Sequence, residues 1–153
     1  VEAFNHLSGL HEGLQLVVFG QSSPKSPPKL GFPVNFMGHL HDDLSLRLLY
    51  SAVDILIVPS RKEAFGQTAS EAQACGTPVV AFKIGGLSDI VKHKHTGYLA
   101  EPFDTQDLAK GIKWILSNST SGVLGKAARE RSLQKFSYEV VSAQYQELYQ
   151  DLI

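Results

Sequence analysis

Residues 59–78 read PSRKEAFGQTASEAQACGTP. An apolar run, 54–58, lies directly before this stretch and another, 78–82, overlaps its end. The segment therefore has the form of strand, loop, helix, stop and next strand. Ala69, Ala72 and Cys75 recur every three residues and are small, so one face of the helix can lie close against a sheet. Gly76 suits a left-handed cap, and Pro78 prevents the helix from continuing.

The same alternation extends in both directions. Further short apolar runs stand at 14–19, 34–37 and 98–100, separated by amphipathic stretches, as a parallel sheet wrapped by helices reads in sequence. Leu44, Leu48, Leu49 and Ala52 share one helical face, with Asp42 or Asp43 placed to cap its entry. A later helix begins at Asp104 or Thr105 and carries Leu108, Ala109, Ile112, Ile115 and Leu116 on one stripe. Another is expected over 123–135. The last follows a Ser137 cap and shows Val141, Tyr145, Leu148, Tyr149 and Leu152. Residues 21–33, rich in Ser, Pro and Lys, have neither period and read as an exposed loop. No internal repeat is visible.

The expected fold class is α/β, a Rossmann-like doubly wound parallel sheet. One domain is expected over residues 1–153, since that length buries a core without disulfides or metals. The net charge of -1 gives no reason to invoke nucleic acid or an acidic membrane. A lone cysteine, Cys75, excludes an intramolecular disulfide and agrees with a reducing, cytoplasmic compartment. No apolar run approaches the ~20 residues of a membrane helix.

Ligands of such sheets bind beyond the carboxyl ends of the strands, where the following helices point their N-termini. The helix after 54–58 should start near Gly66, where a residue without a side chain lets a ligand approach free backbone N–H groups. Such an end attracts phosphate. Glu71 sits one turn inside, and helical side chains lean toward the N-terminus, so its carboxylate reaches the mouth of the site. Beside a diphosphate rather than under it, a carboxylate is suited to accept hydrogen bonds from paired ribose hydroxyls. Glu63, on the loop, is placed for the sugar end and for positive charge developing at an anomeric carbon. Gly85 and Gly86, at the end of the next strand, give close backbone approach from a second side of the crevice.

These residues resemble the C-terminal donor-binding domain of the family-four retaining glycosyltransferases with the GT-B fold. Glu63 and Glu71 match the E-x(7)-E signature, set in the frames P-S-x-x-E-A-F-G, E-A-x-A-C-G-T-P-V-V and I-G-G-L-x-D-I-V. The likeness continues through Thr96-Gly97-Tyr98-Leu99 and Phe136-Ser137-Tyr138-Glu139 over nearly the whole chain. It implies transfer of a sugar from a nucleotide diphosphate sugar to an acceptor hydroxyl, with retention at the anomeric carbon and with no metal or other cofactor. It implies that Glu63 contacts the donor sugar, that the backbone at Phe65, Gly66, Gln67 and Thr68 faces sugar and diphosphate, and that Glu71 holds the ribose. Gly38, His39 and Leu40 would lie beside the nucleobase. The acceptor, a glycan or a lipid-linked sugar, would be held by an N-terminal domain.

One departure stands out. Members of the family usually open this domain with a strand followed by an Arg and a Lys-Gly that grip the diphosphate, whereas Val1 opens in what looks like the helix after that motif. The missing strand would be the central one, between 14–19 and 54–58. Arg61, Lys62 and Lys83 are substitutes by position but read as solvated charges. Weak donor binding and no turnover are therefore expected of this piece alone.

Other readings fare worse. Away from their frame, Glu63 and Glu71 would be solvated carboxylates, and Gly85 and Gly86 a plain turn. His39, His41, Asp42 and Asp43, or His93 and His95, alternate like metal ligands, but no cysteine or third histidine stands nearby at a usual spacing. Gly20 is followed by Gln21-Ser22-Ser23 rather than a dinucleotide fingerprint, Asp54 sits at the wrong strand edge for a phosphoacceptor, and no G-x-S-x-G elbow is present. The serious alternative is a non-catalytic sugar-nucleotide-binding or interaction module.

Overall fold

The computed structural model describes residues 1–7, 13–119 and 122–152. In chain order its elements are α1 (Glu2–Asn5), β1 (Leu16–Phe19), β2 (Val34–Gly38), α2 (Asp43–Ala52), β3 (Leu56–Val58), α3 (Gln67–Ala74), β4 (Val79–Phe82), α4 (Leu87–Ile90), β5 (Gly97–Ala100), α5 (Thr105–Asn118), α6 (Val123–Phe136) and α7 (Tyr138–Gln150). All strand pairs are parallel. β1 pairs with β2, and β4 lies between β3 and β5 with Leu56 opposite Val79 and Val79 opposite Gly97. Among the described residues no strand joins the pair to the set of three.

β4 shows why the fold is layered. Its four residues are all buried, because alternate side chains enter different cores. Val79 and Ala81 join Leu56 and Val58 of β3, Ala69 and Ala72 of α3, and Leu87 and Ile90 of α4. Val80 and Phe82 point the other way, into a core completed by Ala3 and Leu7 and by Leu108, Ala109, Ile112 and Ile115 of α5. Ala69 and Ala72 are fully buried, as the small-residue spacing requires.

Local chemistry places the helix starts. Asp42 accepts from the Ser45 N–H at 2.8 Å, and the bond holds its carboxyl below the usual aspartate range. Asp104 accepts from the N–H groups of Gln106 and Asp107 at 2.9 Å, and Ser137 from that of Val140 at 3.4 Å. Helix ends are closed from a distance. Arg129 of α6 donates to the carbonyl of Ala74 at the end of α3, and Arg131 to those of Asp89 and Ile90 at the end of α4.

Two helical faces differ from the sequence expectation. In α2, Leu44 and Leu48 are 64% and 62% exposed, whereas Tyr50 is buried and Leu46 packs on the core. Polar tethers set this phase, because Tyr50 bonds Glu71 through its hydroxyl and Thr77 through its carbonyl. The stripe of α7 is not core either. Val141 is half-buried, and Tyr145, Leu148, Tyr149 and Leu152 are exposed. With Phe65 and Phe136, the first three residues of that stripe line an open groove.

Asp104→Ala should lower stability by about 1 kcal/mol, and Asp104→Asn by much less. Urea unfolding midpoints at unchanged slope check this. Equal midpoints for all three proteins would contradict the assignment of the cap.

Candidate functional site

The chain leaves β3 at Val58, crosses a loop carrying Glu63 and Phe65, and enters α3 through Gly66. Gly66 is buried, with φ of 92° in the left-handed region. A Cβ there would stand 2.8 Å from Leu87 Cδ2 and 3.2 Å from Ile90 Cδ1. Glycine is thus required by the backbone and by the side chains of α4, a reason different from the ligand access the sequence suggested. What faces outward is the helix start itself. No side chain caps it, and its first turn holds no acidic residue. The Gly66 carbonyl accepts from the N–H groups of Ala69 and Ser70 at 3.0 and 3.1 Å, which places the earlier N–H groups at the tip of the dipole, beside the exposed Gln67 and Thr68. Such a tip can receive an anion.

Gly85 and Gly86 meet this loop backbone to backbone. A Cβ on Gly85 would stand 1.9 Å from the Glu63 carbonyl oxygen, and one on Gly86 2.3 Å from that of Phe65 and 2.7 Å from that of Ala64. The sequence suggested that these glycines admit a ligand; what they approach in the structure is the backbone of residues 63–65 of the same chain. The glycine turn therefore fixes the loop that holds the half-buried Glu63. Phe65 is 51% exposed and meets Phe136 edge-on with ring centroids 5.8 Å apart, tying the other side of the loop to the end of α6.

Glu71 is half-buried one turn into α3, and its Oε2 accepts from the Tyr50 hydroxyl at 3.0 Å. Burial above all, then the bond to Glu71 and its negative charge, push the Tyr50 phenol well above the ordinary tyrosine range. The phenol thus remains a donor. Gly38 ends β2 with φ of 69°, and its carbonyl accepts from the Gly20 N–H at 2.8 Å. Beyond it, Leu40 is half-buried, and His39 is exposed with its ring stacked on His41 at 6.0 Å. This loop leads into α2, the helix that carries Tyr50 to Glu71.

The nearby cations are not equivalent. Arg61 places its guanidinium over the Phe103 ring, 5.5 Å from the centroid, so it has an aromatic partner that the sequence did not show. Lys62 and Lys83 are exposed. Phe103 itself has φ of 66° beyond the end of β5. Among the described residues, no three His, Cys, Asp or Glu side chains gather as a metal site. His93 is engaged by its own turn, with Nδ1 accepting from the Leu99 N–H at 3.2 Å.

The residue missed from sequence is Tyr50. Its signal was a tyrosine inside a leucine-rich helix, because a buried phenol needs a hydrogen-bond partner.

The profile of the family described as glycosyl transferases group 1 matches residues 1–131. D-inositol 3-phosphate glycosyltransferase of Saccharomonospora viridis is 39% identical over 104 residues, which are 67% of this chain and 24% of that protein. Sucrose-phosphate synthase of Thermosynechococcus elongatus superposes with a TM-score of 0.75 at 35% identity, over 90% of this chain and 38% of that one. HepE of Anabaena, solved in complex with UDP-glucose, gives a TM-score of 0.68 at 29% identity, over 77% of this chain and 32% of that one. The chain thus spans less than two-fifths of each of these proteins.

Gly86→Ala should destabilise the fold by about 1–3 kcal/mol, because its Cβ meets backbone on both carbonyls. The amide resonances of Ala64 and Phe65 should move with it. A variant as stable as the parent, with those resonances unmoved, would show that the two loops are not docked.

Proposed function

The chain belongs to the group 1 glycosyl transferases and has the α/β fold of the C-terminal, donor-binding half of GT-B enzymes, and from that premise we propose that it binds the nucleotide diphosphate sugar of a retaining glycosyltransferase. The observation that carries this reading is the uncapped start of α3, with Glu63 on the loop that precedes it and Glu71 one turn inside it.

In this reading the diphosphate lies against the N–H groups at residues 66–68, where the helix dipole favours negative charge. Glu71 accepts hydrogen bonds from the ribose hydroxyls, each charge-assisted bond being worth about 1.5–3 kcal/mol. Glu63 lies toward the sugar, and its carboxylate favours the positive charge that grows at the anomeric carbon as the bond to phosphate lengthens. Negative charge grows on the departing diphosphate at the same moment, and the helix tip stabilises it. Catalysis then comes from positioning and from these fixed charges. The acceptor hydroxyl enters on the face the diphosphate leaves and gives its proton to the departing phosphate oxygen as the new C–O bond forms, which gives retention.

Gly85 and Gly86 keep the Glu63 loop in register and leave an exposed backbone edge toward the sugar. Gly38, His39 and Leu40 stand for the nucleobase. A uridine diphosphate sugar is the donor to try first, because HepE was solved with UDP-glucose. The acceptor, a glycan or lipid-linked sugar hydroxyl, is held by an N-terminal domain. The 153-residue chain alone is expected to bind donor weakly and to turn over none.

Glu63→Ala in the full-length enzyme tests the catalytic assignment. The expected result is a fall in glycosyl transfer of about 100-fold or more, with donor affinity changed far less. Equal rates for parent and variant would remove the catalytic role and leave a sugar-nucleotide-binding module.

A further inference from the structure

We propose that Tyr50 is a positioning residue of the donor site, holding one oxygen of the Glu71 carboxylate so that the other faces the ribose hydroxyls. The inference rests on the reading of Glu71 as the ribose acceptor. It adds the residue that gives that carboxylate a single orientation.

An ionised carboxylate accepts through two oxygens and donates through neither. The Tyr50 hydroxyl occupies Oε2 at 3.0 Å, which leaves Oε1 for a second donor. A phenol and a ribose diol are both donors, so they can share one carboxylate, whereas a second acceptor at this place would compete with it. A glutamate side chain in a half-exposed helix otherwise samples several rotamers, and a ligand must then freeze it. Tyr50 removes that freedom only if it is itself immobile.

Burial and two contacts make it so. Its side chain is 2% exposed. Its ring meets that of Phe19, at the end of β1, edge-on at a centroid distance of 5.9 Å. The Thr77 hydroxyl, just beyond α3, donates to its carbonyl oxygen. Tyr50 therefore registers Glu71 against β1, α2 and the end of α3 together. Its removal should weaken binding through the ribose and nowhere else, which a purely structural tyrosine would not do.

The test uses the full chain, titrated by nuclear magnetic resonance with uridine, guanosine and adenosine diphosphate. The tightest of these is then compared with its 2′,3′-dideoxy form. Proteins carrying Tyr50→Phe, Glu71→Gln and both changes are titrated in parallel. The phenylalanine keeps the ring and its contact with Phe19, so the fold is retained. Tyr50→Phe should weaken the ribonucleotide about five- to tenfold, leave the dideoxy nucleotide within about twofold, and add nothing in the Glu71→Gln background. If Tyr50→Phe weakens both nucleotides alike or neither, while Glu71→Gln still abolishes the preference for ribose, the positioning role is wrong and the ribose site stands. If Glu71→Gln keeps the full preference, or the parent chain shows no preference or no binding, the ribose assignment itself falls and the role of Tyr50 falls with it.

Discussion

The start of α3 cannot satisfy its own N–H groups, and among the described residues no side-chain cap does so for it. Leaving such an end open has a cost in solvation and capping energy, and the surrounding structure holds it open at a defined place. Ala69 and Ala72 bring the helix down onto β3 and β4. Leu87 and Ile90 fill the space where Gly66 lacks a side chain. Arg129 closes the opposite end at the Ala74 carbonyl. The helix is thus anchored at its base and along its buried face, with Gln67 and Thr68 at its tip exposed.

Two further features depend on that tip. The glycine turn at residues 85–86 lies directly on residues 63–65, so the position of Glu63 is fixed by backbone contact rather than by its own side chain. Glu71 is fixed instead through its side chain, by Tyr50. The two acidic groups are therefore held by independent devices, one from each neighbouring segment of the sheet. β1 and β2 reach Glu71 through Phe19 and α2, and no strand among the described residues links them to β3.

What the sequence revealed was local. Strand positions fell within a residue or two because each strand is a short apolar run between polar or turn residues, and β4 is buried on both faces. The caps at Asp42, Asp104 and Ser137 were readable because a cap acts on residues two or three positions ahead. The phase of α2 was not, because the leucines at 44 and 48 outweigh in pattern what Tyr50 contributes through hydrogen bonds to residues over twenty positions away. α4 is a single turn, too short to show a period. Arg129, Arg131 and the Arg61–Phe103 contact join distant segments, and nothing in their spacing announces them. The loop, the helix start and the glycines of the candidate site could be picked out in the sequence, and the residues that hold them, Tyr50 above all, could not.

Amide shift mapping of the chain with added UDP-glucose would locate the diphosphate on the protein. The largest changes are expected at Gly66, Gln67 and Thr68, with smaller ones at Glu71 and at Gly85 and Gly86. Changes confined to the groove beside α7, or spread evenly over the surface while residues 66–68 stay unmoved, would contradict that placement.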